Sequence, residues 1–398
     1  LRQNCQKMVW SNSILCLIVN ILRCGRWNRM NSFKNIAVWM SDKKSQKLNW
    51  NEMNKACISH GYNLIKVDLE QPLEDQGHFD VFLHKLTDVI AASDQGDQKA
   101  FSIISRIEQY LSNHPNVVVI DPLDNVRVLL NRYIYYTILQ EEQSFYKHGI
   151  FTPKFAEFTM SNIEINQEIM RARGVTFPVI CKPTIAHGSK SAHEMIVIFN
   201  KKGLNMCKPP CVVQSFVNHN AVLHKVFLIG NRYHICQRPS LKNFYASEEL
   251  EPIFYSTGEV CKADSQSTLS ILDPHDQSQA DIKVTLNEEK IKHIIRVLRK
   301  EIGLLLAGFD VVIDNTTGDH AVIDINVYPS YDNFPNFFEH LLDCIDETVN
   351  KNVNCGYSNG ESNVCKDNFS VCHAINGCMN VALDYPSMKF GVTGMNIN

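Results

Sequence analysis

The chain has 398 residues, 44% of them hydrophobic, enough for two or three α/β layers with their own cores. A net charge of −3 provides no global field for nucleic acid or an anionic membrane, so any anion site must be a local basic cluster. Of the 14 scattered cysteines, Cys57, Cys181, Cys211 and Cys236 lie in apolar runs and read as small core residues of a reducing, cytoplasmic compartment. Cys207 and Cys211 flank Lys208-Pro209-Pro210 with no matching pair elsewhere; Cys355, Cys365, Cys372 and Cys378, with His373, lack finger-like spacing, so zinc is not expected in the tail.

Residues 1–33 read as a leader outside the domain. The run Ile14 to Val19, extended to Leu22 past Asn20, is far short of the ~20 residues that span a bilayer, so no stable membrane insertion is expected. Arg2 and Lys7 ahead of it also fit a signal peptide, and Met30 is a plausible domain start. From Lys34 strands and helices alternate. Ile36–Met40, Asn63–Leu69, Val81–Leu83 and Val117–Ile120 read as strands. Trp50–His60 reads as a helix, as does Gln98–Leu111, with Phe101, Ile104, Ile107 and Leu111 on one stripe. Such alternation predicts a mostly parallel open sheet with ligands at the carboxyl ends of its strands. Those ends carry Ser41-Asp42-Lys43-Lys44 and His84-Lys85-Leu86-Thr87-Asp88, two lysine-bearing segments.

A second unit begins near Leu130. Phe177–Lys182 is a strand ending in Lys182, followed by a small polar loop over 184–194 and a further strand over Met195–Phe199. A flexible Gly/Ser loop between strands can cover phosphates, although G-x-x-x-x-G-K-[ST] is lacking. Cys211–Val217 is a strand entering the polar bend Asn218-His219-Asn220, where backbone groups can meet an adenine edge. Lys225 opens the next strand, and Gly230-Asn231 reads as a tight hairpin turn. Residues 246–283 read as an exposed loop. Asn287 caps a helix with Ile291, Ile294, Ile295, Leu298 and Ile302 on one stripe. A last amphipathic helix follows Pro335, and 350–398 reads as a disordered tail.

The centre of the reading is Ala307–Asp314 and Ala321–Asn326, two β-branched runs joined by the turn Asn315–Asp319. Pairing Asp314 with His320 places Asp310 opposite Asp324 and Gly308 opposite Asn326. The Asp310 face then carries Val312 and Val322; the other carries Phe309, Val311, Ile313, Ile323 and Ile325. Two facing carboxylates in an apolar sheet repel and lose hydration unless a cation compensates. Oxygen donors from Asp, Asp and Asn suit Mg²⁺ or Mn²⁺.

These motifs in this order resemble one family. They are the lysine after the first strand, His84-Lys85-Leu86-Thr87-Asp88, Asp121-Pro122, Cys181-Lys182, Ala186-His187-Gly188 with His193-Glu194, and Val213-Gln214 to Lys225. Gln237-Arg238-Pro239-Ser240-Leu241-Lys242-Asn243, Gly308-Phe309-Asp310 and Asp324-Ile325-Asn326 complete the set. The resemblance, over about residues 34 to 348, is to inositol-tetrakisphosphate 1-kinase, also called inositol trisphosphate 5/6-kinase. It implies an ATP-grasp α/β fold: an N-terminal mostly parallel domain over 34–128 that binds inositol phosphate, a central unit over 129–235, and a C-terminal unit over 236–349 with the metal site. It implies a 1-kinase of inositol 3,4,5,6-tetrakisphosphate and a 5/6-kinase of inositol 1,3,4-trisphosphate, with ATP as co-substrate and two Mg²⁺ ions.

By motif match, Arg132, Lys182, Gln214, Ser215, Phe216, Val217, Lys225 and Ser240 would contact ATP. Asp310, Asp324 and Asn326 would hold metal. Lys44, Lys85, His193, Lys225, Arg238 and Asn326 would hold the inositol phosphate. Lys182, Lys225, Asp324 and Asn326 would carry the chemistry. Thr257 and Cys261 stand where the family carries serines. Ser330 stands where it has Gly, a position strained for Ser if its φ is positive. One extra residue at Lys190-Ser191-Ala192 bears on His193. A monomer is expected. The rival readings are an ATP-grasp carboxylate–amine ligase and a catalytically inactive inositol-phosphate-binding protein.

Overall fold

The computed structural model describes residues 33–188, 190–279 and 285–356, so the leader and the part of the expected tail beyond Gly356 lie outside the described residues. β1 (Lys34–Met40), β2 (Tyr62–Lys66), β3 (Val81–Lys85) and β4 (Val118–Ile120) form a parallel sheet ordered β2-β1-β3-β4. Strands covered on both faces carry continuous apolar runs, and Ile36, Ala37, Val38, Val81, Phe82 and Leu83 are all buried. Helix Gln98–Asn113 is capped by Asp97, whose side chain accepts from the Ala100 N–H. Its buried stripe is Ala100, Ile104, Ile107 and Tyr110, whereas Phe101 is 58% exposed. Small Ala100 takes the inward position beside helix Thr87–Asp94 and turns Phe101 outward.

The remaining strands are β5 (Ile150–Phe151), β6 (Phe155–Phe158), β7 (Val179–Pro183), β8 (Glu194–Ile198), β9 (Cys211–Ser215), β10 (Val222–Ile229), β11 (Arg232–Pro239), β12 (Ile253–Ser256), β13 (Leu306–Ile313) and β14 (His320–Val327). They make two sheets, ordered β12-β8-β7-β9-β6 and β11-β10-β13-β14-β5. Strand alternation divides β7: Val179 and Cys181 face one apolar cluster, while Ile180 and Lys182 face the other side. Asn287 caps helix Glu288–Glu301, whose stripe Ile291, Ile294, Ile295 and Leu298 is buried, with Ile302 just beyond. Helix Phe337–Gly356 continues past residue 349. Residues 246–283 are not simply an exposed loop: β12 pairs with β8, and helix Thr257–Val260 buries Val260.

The central hairpin forms with one correction. Ala307↔Val327, Gly308↔Asn326, Phe309↔Ile325 and Asp310↔Asp324 pair as expected. A bulge then shifts the register, so Val311 pairs with Val322, Val312 with Ala321 and Ile313, not Asp314, with His320. The extra residue is Ile323. Val322 therefore joins Val311 in the core, and Ile323 moves to the cavity side with Val312. Gly308 is required by a close approach: a Cβ there would lie 3.0 Å from Pro329 Cγ. Ser330 is not strained, because the left-handed positions are its neighbours Tyr328 (φ 38°) and Tyr331 (φ 55°).

Ile325 is 1% exposed beneath the sheet, whereas Asn326 faces the cavity. Ile325→Ala is expected to cost roughly 2–5 kcal/mol in chemical denaturation, with Asn326→Ala leaving the midpoint nearly unchanged.

Candidate functional site

A cavity of about 700 Å³ opens between the central and C-terminal sheets. Of the residues singled out from sequence, Arg132, Lys182, His193, Gln214, Ser215, Phe216, Val217, Lys225, Arg238, Ser240, Asp310, Asp324 and Asn326 all line it. Lys44 and Lys85 do not. Lys44 pairs with Asp88 at 2.9 Å, and the Lys85 ammonium lies 5.1 Å from the centre of the Tyr328 ring.

One row of the C-terminal sheet carries the charge. Lys225, Asp310 and Asp324 are consecutive cross-strand neighbours on β10, β13 and β14. Lys225 Nζ is 2.8 Å from Asp310 Oδ1. Burial raises the Asp310 pKa, as does the facing Asp324 charge, against the pull of Lys225. Burial also pushes Asp324 upward, but Arg132, Lys182 and the Tyr135 hydroxyl outweigh it and hold Asp324 below the usual carboxylate range. Tyr135 donates to Asp324 Oδ1 at 2.7 Å, and Arg132 Nε is 3.9 Å from the same oxygen.

Lys182, 7% exposed, donates to the Tyr136 hydroxyl at 2.7 Å, to Gln214 Oε1 at 2.8 Å and to the Ile323 carbonyl at 2.9 Å. Burial pushes its pKa down to about 8. Arg132 donates to the Pro183, Ile185 and Ala192 carbonyls, so most of its guanidinium braces the loop after β7. The polar bend is similarly self-tied: His219 Nδ1 meets the Val217 carbonyl at 2.6 Å, and its Nε2 meets Ser240 Oγ at 2.7 Å.

Sequence reasoning missed Tyr135, Tyr136 and the Ile323 carbonyl. The tyrosines had a signal, because Arg132, Tyr135 and Tyr136 are spaced i, i+3, i+4 on helix Arg132–Glu141 and share one face. Thr257 and Cys261, singled out by the resemblance, do line the cavity; Tyr255, Lys262 and Asp264, which line it from the same segment read as a loop, were missed.

The residues fit a nucleotide and a hard divalent cation. Among the described residues lining the cavity, Gln214 Nε2 is a buried donor without a hydrogen-bond partner and Arg132 Nε reaches only Asp324, at 3.9 Å, so both suit an acceptor-rich ligand. Asp310, Asp324 and Asn326 supply oxygen donors only.

Fold and site together define an ATP-grasp protein. D-cycloserine synthetase has the same fold (TM-score 0.53, 12% identity, 79% of this chain and 99% of that one). Residues 35–126 match the family described as the inositol 1,3,4-trisphosphate 5/6-kinase pre-ATP-grasp domain, and residues 145–347 match its ATP-grasp domain. Inositol-tetrakisphosphate 1-kinase of Xenopus laevis is 39% identical over 343 residues, covering 83% of this chain and 85% of the relative. The Danio rerio protein of that name is 39% identical over 333 residues, covering 83% of each. The chain belongs to the inositol 1,3,4-trisphosphate 5/6-kinase family.

Mg²⁺ binding at the carboxylate pair should stabilise the folded state by mass action. Millimolar MgCl₂ is expected to raise the melting temperature of the wild type, and Asp324→Ala should abolish most of that rise in differential scanning fluorimetry.

Proposed function

We propose that the protein is an ATP- and Mg²⁺-dependent kinase that transfers the γ-phosphoryl group of ATP to a hydroxyl of an inositol tris- or tetrakisphosphate. The observation that carries this reading is the facing Asp310–Asp324 pair set between Lys225 and Lys182, in a chain of this family. Phosphoryl transfer depends on positioning and charge neutralisation more than on covalent help. Asp310 and Asp324 would hold one Mg²⁺, and Asp324 and Asn326 a second; bound metal supplies positive charge to the phosphate oxygens. Lys182 offers a desolvated ammonium to a nucleotide phosphate, and Gln214, Ser215, Phe216, Val217 and Ser240 line the nucleoside side.

The acceptor side draws on Lys44, Lys85, His193, Arg238 and Asn326. Burial and the neighbouring Lys44 charge together lower the Lys85 pKa to about 8. A polyanion relieves that repulsion, which favours an inositol polyphosphate over the carboxylate and amine of a ligase. We assign the N-terminal domain (34–128) to the acceptor, and the central (129–235) and C-terminal (236–349) units to ATP and metal. We expect a cytoplasmic monomer. No helix among the described residues is long and apolar enough to cross a membrane.

Incubation with ATP, Mg²⁺ and a panel of inositol phosphates, resolved by chromatography, tests the reading; no phosphorylated isomer from any panel member would overturn it. Asn326→Ala and Asn326→Asp are each expected to cut turnover at least about 10²-fold, the scale of losing one electrostatic stabiliser. Lys182 is charged below about pH 8 and neutral above it. kcat/KM, which reports the free enzyme, should therefore fall as pH rises through about 8. A flat profile from pH 7 to 9 would remove Lys182 from the role.

A further inference from the structure

Helix Arg132–Glu141 places two adjacent, fully buried tyrosines beneath the cavity, each on a different charged group. The Tyr135 hydroxyl donates to Asp324 Oδ1 at 2.7 Å. The Tyr136 hydroxyl donates to the Ile323 carbonyl at 2.7 Å and accepts from Lys182 Nζ at 2.7 Å. Lys182 also reaches that carbonyl, at 2.9 Å, so hydroxyl, ammonium and carbonyl close a triangle. The carbonyl belongs to the bulged residue, which the strand pairing alone leaves unpaired. The two rings also pack edge to face, centroids 4.5 Å apart.

We propose that Tyr135 and Tyr136 are positioning residues with divided duties: Tyr136 fixes Lys182 and the Ile323 bulge for nucleotide phosphate, and Tyr135 fixes Asp324 for the cation. The proposal rests on the kinase reading for what Lys182 and Asp324 hold. Its physical basis is donor bookkeeping. An ammonium has three N–H groups, and all three are engaged, by Tyr136, Gln214 and Ile323. An incoming phosphate must replace one acceptor. Gln214 is the exchangeable one, because among the described residues its side chain bonds only to Lys182, whereas the other two acceptors are also bonded to each other. Tyr136 and Ile323 are bonded to each other and stay behind as the fixed seat.

The test is titration calorimetry of the full chain with a non-hydrolysable ATP analogue, with and without Mg²⁺, on the wild type, Tyr135→Phe and Tyr136→Phe. Phe keeps the ring and removes one hydroxyl. Tyr136→Phe is expected to weaken analogue binding about tenfold both with and without Mg²⁺, the scale of a hydrogen bond to a charged group. Tyr135→Phe is expected to leave Mg²⁺-free binding within about twofold and to lose about tenfold in the Mg²⁺-dependent gain. In a Lys182→Met background, Tyr136→Phe should add less than a further twofold, because the hydroxyl acts through the ammonium. Equal losses in both variants under both conditions would show a merely structural role and overturn the division. Unchanged binding in Tyr136→Phe would overturn the seat. Failure of the kinase reading shows separately, as a wild type that binds the analogue but phosphorylates no inositol phosphate. If a variant melts below the assay temperature, Tyr136→His, which restores a polar ring atom, must recover part of the binding; no recovery in folded protein overturns the proposal.

Discussion

Two carboxylates directly opposite each other on neighbouring strands are the constraint around which this structure is built. Asp310 and Asp324 share a row of the C-terminal sheet, and Lys225 extends that row by one strand. In a half-buried sheet such a pair is unfavourable without compensating charge. The compensation comes from four residues on three elements: Lys225 within the sheet, Lys182 from the central sheet, and Arg132 and the Tyr135 hydroxyl from helix Arg132–Glu141. The two sheets and the helix are thereby held around one cavity, with the Tyr136, Lys182 and Ile323 bonds as a second tie among them. The row carries one positive and two negative charges, and Asp310, Asp324 and Asn326 offer oxygen donors to the cavity that suit a hard divalent cation.

The second constraint is the attachment of this sheet to the N-terminal domain. Asp121 accepts from the Leu305 and Leu306 N–H groups at 2.7 and 2.9 Å, at the start of β13. His84 Nε2 meets the Asp121 carbonyl at 2.7 Å. Burial pushes Asp121 up to about 6 and His84 down to about 4, so at neutral pH the carboxylate is charged and the imidazole neutral. His84 and Asp121, both in motifs that pointed to function, therefore act as ties. Lys85 follows His84 directly on β3 and points to the opposite face of the strand. At the far edge His60 and Tyr62 both reach Asp346 on the last helix, at 2.6 and 2.7 Å.

The hairpin was legible because its signals agree: β-branched runs, turn residues between them, and acidic residues at matching positions. The parallel sheet was legible from continuous apolar runs. The bulge was not, since one residue more or less in an apolar run leaves no mark in composition. Its cause is tertiary: Tyr136 and Lys182, from other elements, offer the Ile323 carbonyl better partners than strict pairing would. The helices Leu123–Leu130 and Arg132–Glu141 were missed; both are short and abut across Asn131, which caps the second. The secondary structure of the cover from 253 to 264 was missed, although Thr257 and Cys261 had been singled out, because its polar composition masks a short edge strand and a single helical turn.

The cationic groups divide between two places, and that division bears on transfer. Lys182, Lys225, Arg132 and Arg238 line the cavity, while Lys44 and Lys85 stand at the ends of β1 and β3 outside its wall. The segment between them is 328–333. Tyr328 lies under the Lys85 ammonium, and Ser330, Asp332 and Asn333 line the cavity. This segment turns through positive φ at Tyr328, Tyr331 and Asn333, and it is pinned by the Tyr331 hydroxyl, which donates to the Leu228 carbonyl at 2.7 Å. Ser330 can replace glycine here because the conformational demand falls on the residues around it. A polyanion reaching from Lys85 toward Asn326 would cross this segment, and Asp332 is the one acidic side chain on its cavity side. Its charge raises the Lys85 pKa, against burial and Lys44. The same carboxylate would repel a phosphate arriving along that path, so on the proposed reading the segment would limit how closely an acceptor approaches the nucleotide.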